Sequence, residues 1–128
     1  MICNNTKPAI SVDFKESRIR IHKTALRLIG DPKYIILLVN PEEHMLAVKP
    51  SDSSDKYAHR IRDVVFEDKH SFEIHSKMLL NCFLNMCDYW DGKNIYRMYG
   101  EYIASEGLVK FNMRDFEQDF ENGLCDYD

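Results

Sequence analysis

Between residues 10 and 22, apolar and polar side chains alternate in two successive runs. Ile10, Val12 and Phe14 alternate with Ser11 and Asp13, and then Ile19 and Ile21 alternate with Arg18, Arg20 and His22. A period of two places every second side chain on the same face, so each run is a strand with one apolar side to bury. Lys15-Glu16-Ser17 between them is short enough for a hairpin turn. The chain therefore begins as an antiparallel sheet whose apolar face needs cover from the rest of the molecule. With 128 residues, of which 45% are hydrophobic and 30% charged, there is material for one domain. A chain of this length hides roughly two thirds of its unfolded surface.

The pattern then continues. Lys23 to Ile29 is rich in helix formers, and Gly30 and Pro32 stop it. Tyr34 to Val39 is an apolar run, Asn40-Pro41-Glu42-Glu43 a turn, and Met45 to Val48 a returning strand. Residues 50–60 are polar and read as a linker. Beyond it the order returns. Val64 to Phe66 is a strand, Phe72 and Ile74 mark another, and Ser76 caps a helix from Lys77 to about Tyr89. Ile95 to Ala104 is a long strand with a bulge expected at Gly100, and Leu108 to Phe111 returns. The expected fold is α+β and β-rich, a single domain over 1–128. It has two ββαββ-like halves, at 10–50 and 61–113, and an acidic segment at 114–128.

Charge is uneven along the chain. The formal net charge is −4, yet residues 1–62 hold eleven Lys/Arg against seven Asp/Glu. Residues 63–128 hold six Lys/Arg against fourteen Asp/Glu, and six of those acids fall in the last fourteen residues. Such asymmetry points to polyelectrolyte binding by the basic half or to an acidic interaction segment.

Ser17-Arg18-Ile19-Arg20-Ile21-His22, the helix from Lys23 to Leu28, Ile29-Gly30, and a hairpin ending Ala47-Val48-Lys49-Pro50 together resemble the AbrB/SpoVT swapped-hairpin DNA-binding domain. The resemblance covers about residues 10–50 and is spaced without a gap from Arg18 to Gly30. It implies a swapped-hairpin β-barrel with short helices, and a role in transcription regulation through duplex DNA. In that family two such units interleave, so a second copy at 61–113 lets one chain supply both. The resemblance carries Arg18 and Arg27 onto family arginines. Ser17 stands where the family shows glycine, His22 where it shows proline, and Leu26 where a second helix arginine is frequent.

Arg18, Arg20 and His22 share a strand face, and Lys23 and Arg27 stand one helical turn apart beyond it. Arg18, Arg20, Lys23 and Arg27 are thus the candidate DNA-binding residues, suited to phosphate and guanine. In the acidic segment, Phe116, Phe120 and Leu124 recur at i, i+4 and i+8, the stripe of an amphipathic helix. That helix docks either on its own domain or, as an antitoxin tail does, on a protein partner; a disordered tail is the third reading. Tyr96 and Tyr102 read as sheet packing and rim or, where no bulge at Gly100 separates them, as a face that stacks single-stranded bases.

Other chemistries find little material. Cys82 and Cys87 are five apart, turned about 140° from each other on a helix, so they share neither metal nor disulfide. No phosphate-loop or nucleophile-elbow motif occurs. No catalytic residue, metal or cofactor is assigned. The longest apolar run falls short of a membrane span, and residues 1–20 carry no signal-peptide pattern, so a cytoplasmic location is expected. Association of two chains stays open.

Overall fold

A computed structural model describes residues 7–61 and 71–119. The alternating segments form β1 (Ala9–Asp13) and β2 (Arg18–His22), followed by α1 (Lys23–Leu28). A hairpin of β3 (Tyr34–Asn40) and β4 (Met45–Ser51) comes next, and then the short β5 (His59–Arg60). The second half supplies β6 (Ser71–Ile74), α2 (Lys77–Met86), β7 (Ile95–Tyr99), β8 (Glu101–Ile103), β9 (Leu108–Asn112) and β10 (Glu117–Asp119). The expected strand at Val64–Phe66 lies outside the described residues.

These strands make two antiparallel five-stranded sheets, ordered β10-β7-β1-β2-β6 and β5-β3-β4-β9-β8. Each sheet draws strands from both halves of the chain. The fold is β-rich, and among the described residues no ladder closes the two sheets into a barrel. Ile10, Val12, Ile19 and Ile21 from the first sheet share one apolar core with Ile35, Leu46, Val48, Val109 and Phe111 from the second. The period-2 alternation is thus cashed in on both sides of one interface.

The pairing between halves is reciprocal. In the β2–β6 ladder, Arg20 is opposite Glu73, Ile19 opposite Ile74 and Ile21 opposite Phe72. Aligning Ile21 with Ile74 also aligns Ile19 with Phe72, so exchanging the halves returns these three pairs, as antiparallel pairing requires, while His22–Ser71 has no counterpart. The β4–β9 ladder behaves alike. Ala47 faces Lys110, while the pairs Leu46–Phe111 and Val48–Val109 change places. Both ladders thus join strands that hold like places in the two halves, β2 with β6 and β4 with β9.

Three hairpin turns of the same length close this framework, at 14–17, 41–44 and 104–107. The last residue of each is left-handed: Ser17 at φ 56, His44 at φ 57 and Gly107 at φ 66. Side chains that the sequence places before the first two turns hold them. Asp13 Oδ1 accepts from the Glu16 N–H at 2.9 Å, and Asn40 Oδ1 accepts from Glu42 and Glu43.

Gly100 marks a change of sheet, where a simple bulge was expected. β7 pairs with β1 in the first sheet and β8 with β9 in the second, with Gly100 between them. Its N–H donates to the Pro8 carbonyl at 2.9 Å. A Cβ here would sit 2.6 Å from Phe111 Cε2 and 2.7 Å from the Lys110 carbonyl. The strand turns the corner because glycine lets the two backbones touch.

The acidic segment departs from expectation. Residues 117–119 form β10 against β7, in place of the helix expected over 114–124. Edge pairing satisfies the open side of β7, and the exposed Glu117 and Gln118 tolerate a solvated edge. Phe120 and Leu124 lie outside the described residues.

Candidate functional site

The outer face of the first sheet gathers the charged residues. Reading across the strands gives the row Glu117, Arg97, Ser11, Arg20, Glu73. Asp13 and Arg18 are opposite each other one step along. Ser11 and Asp13 are buried, because β1 is the central strand and its neighbours' long side chains flank it. Arg20, His22, Ser71 and Arg97 surround a shallow depression floored by Ala9 and Ser11. Arg97 Nε lies 3.4 Å from Ser11 Oγ, and Arg20 Nε lies 3.4 Å from Ser71 Oγ.

The four sequence-predicted cations have different surroundings. Arg18 turns inward: its Nε donates to Asp13 Oδ2 at 3.0 Å, and its Nη1 to Glu73 Oε2 at 3.1 Å. It neutralises a carboxylate that is 1% exposed as a residue. Arg20 is 4.0 Å from the same Glu73 oxygen and more exposed. Glu73 also has His75 at 3.5 Å. Lys23 and Arg27 lie on α1, Arg27 exposed. Among the described residues no salt bridge involves either of these two.

His22 explains its own presence at the start of α1. Its Nδ1 accepts the Thr24 N–H at 3.2 Å and lies 3.0 Å from Thr24 Oγ1, so the imidazole acts as the N-cap. A ring nitrogen that accepts carries no proton, which places the proton of the neutral ring on Nε2. Ser76 caps α2 in the expected way, accepting from the Leu79 N–H at 3.2 Å.

Arg97 was missed by the sequence reading. The alternation Tyr96-Arg97-Met98, with both neighbours buried, marks it as outward-facing. Only the β1–β7 register, set by strands far apart in the chain, brings it beside Ser11.

Phe116 sits in an aromatic cluster. Its ring lies over Tyr89 at 6.0 Å, nearly parallel, and meets Trp90 and Tyr96 edge-on at 6.0 and 5.2 Å. Trp90 and Tyr96 stack at 4.8 Å. Tyr96 is buried within this core, so it has no face for a nucleic-acid base; Tyr102 is exposed. At the rim, Tyr89 Oη is 2.6 Å from His44 Nδ1. Burial pushes the Tyr89 hydroxyl far above its ordinary range, and burial likewise raises the Cys87 thiol. Both groups stay protonated at neutral pH, which suits packing and not nucleophilic chemistry.

Among the described residues no cluster of His, Cys, Asp and Glu can hold a metal ion. No helix there is long and apolar enough to cross a membrane. Compared with family models, curated proteins and solved structures, the chain matches none of them.

Proposed function

We propose that this chain binds duplex DNA as a single-chain, AbrB/SpoVT-like swapped-hairpin unit acting in transcription control. The carrying observation is that like-placed strands of the two halves pair with each other, β2 with β6 just before each helix and β4 with β9 at the end of each half. It supports a tandem of two like units that supplies internally what two interleaved chains supply in the resembled family. The left-handed Ser17, at φ 56, adds to it, since that position is where the family shows glycine. The contact surface in this reading is Arg20, Lys23 and Arg27, with Arg97 added from the structure. Arg18 belongs to the framework that holds the sheet face together. Glu73 and Glu117 border the arginine row and confine the contact to one side.

The test is fluorescence anisotropy of a labelled duplex of arbitrary sequence at rising salt. Binding driven by phosphates weakens steeply as salt rises, and each lost phosphate contact lowers the slope of log affinity against log salt by about one. Arg27→Ala and Lys23→Ala should each reduce that slope. Absence of binding at low salt and high protein concentration overturns the reading.

A further inference from the structure

We propose that the outer edge of β3 is a docking site for an extended segment of another protein in which apolar and acidic residues alternate. β5 covers β3 only at Tyr34 and Ile35. From Ile36 to Asn40 no described strand pairs with β3 on the side away from β4. In an antiparallel strand, alternate residues direct N–H and C=O to each side, so among the described residues this edge presents unpaired backbone groups. It borders a groove of about 500 Å³ lined by Ile36 to Val39, by Lys56 to His59, and by Ser76, Met78 and Leu79.

Three features select the occupant. Unpaired strand groups take an extended backbone, the mode of strand addition. The lining is apolar and open: Met78 is 78% exposed, Tyr57 68% and Leu38 41%. Among the described lining residues none is an acid, while Lys56 lies in the lining with its Nζ 5.2 Å from the Tyr57 ring. The first turn of α2, which faces the groove through Ser76, Met78 and Leu79, also lacks acids. A second copy of this chain would bring its own Lys56 to the same place, like charge against like. The matching edge of the second half is differently built. β8 spans only Glu101–Ile103 and carries an exposed Glu101, the usual guard against strand addition.

The experiment uses the full chain and a fluorescein-labelled peptide of alternating valine and glutamate, with a valine–lysine peptide as control. Anisotropy should show saturable binding of the first peptide and at least about tenfold weaker binding of the second. Amide exchange at residues 36–40 should slow when the first peptide is bound. Leu38→Lys, at an exposed position, should abolish that protection while leaving the melting temperature within a degree or two. Lys56→Glu should reverse the preference between the peptides. The proposal is overturned by equal binding of the two peptides or by protection elsewhere. It is equally overturned if protection of 36–40 rises with protein concentration alone, which would make the occupant a second copy.

Discussion

Arg20 stands directly opposite Glu73 between β2 and β6, and exchange of the two halves carries this pair onto itself. Two identical units meeting here would place like side chains face to face, which destabilises a ladder when they are charged. A single chain can put opposite charges at such a position. Glu73 does so, and it also serves Arg18 at 3.1 Å and Arg20 at 4.0 Å.

Replacing Glu73 should therefore separate stability from binding. Glu73→Gln removes an acid that is more than one-third exposed, so the loss of stability should be only about 0.5–1 kcal/mol. The same change leaves Arg20 uncompensated. Duplex affinity should rise and its salt dependence steepen. Urea denaturation beside anisotropy checks both, and unchanged affinity would remove Arg20 from the contact surface.

Arg18 should behave in the opposite way from Arg27. Arg18→Ala leaves the buried Asp13 carboxylate with the Glu16 N–H as its remaining partner, and stranding such a group costs about 3 kcal/mol. Arg27→Ala, on the exposed side of α1, should stay within about 0.5 kcal/mol. Denaturation midpoints of the two variants decide this directly.

Backbone geometry yields a pair of contrary outcomes. Gly100→Ala drives a methyl group against Phe111 and the Lys110 carbonyl where the strand changes sheet, and it should cost about 2–3 kcal/mol. Ser17→Gly relieves a left-handed L-residue at φ 56 and should gain up to about 1 kcal/mol. Thermal unfolding should move down for the first and up for the second.

Much of this fold was legible because its elements are local. The alternation at Ile10–Phe14 and Ile19–Ile21 fixed two strands and their buried faces, and Ser76 and Gly30 marked helix ends. What was not legible depends on partners distant in the chain. Residues 117–119 carry no strong strand pattern and become β10 only because β7 has an open edge. Gly100 reads as a bulge until the paths of both sheets are known. At the candidate site, Arg20, Lys23 and Arg27 could be named from spacing. The inward turn of Arg18 depends on Asp13 being buried, and the place of Arg97 depends on a register with β1.

His59 should give the fold a distinct pH dependence. Burial lowers its pKa below the ordinary 6.5, so the folded state disfavours the charged ring. The unfolded chain then binds more protons than the folded one just below that value, and stability falls as pH drops through that window. Above pH 6.5 the effect is absent. His59→Gln should flatten the difference in melting temperature between pH 7.5 and pH 5 (about the titration range of histidine). An unchanged slope would place the acid sensitivity elsewhere.

Phe116 tests whether the start of the acidic segment is structural. Its ring contacts Tyr89, Trp90 and Tyr96, and β10 follows it immediately. Phe116→Ala opens a hole in that cluster and should cost about 3 kcal/mol. Trp90 is the single tryptophan of the chain and lies 5% exposed, so its emission reports on this cluster alone. The variant should shift that emission to the red before global unfolding, as water reaches the indole. Tyr99→Ala, at a residue 42% exposed, should leave the spectrum unmoved and stability within about 0.5 kcal/mol. If Phe116→Ala leaves both emission and stability intact, the ring is available to a partner and the segment acts outward after all.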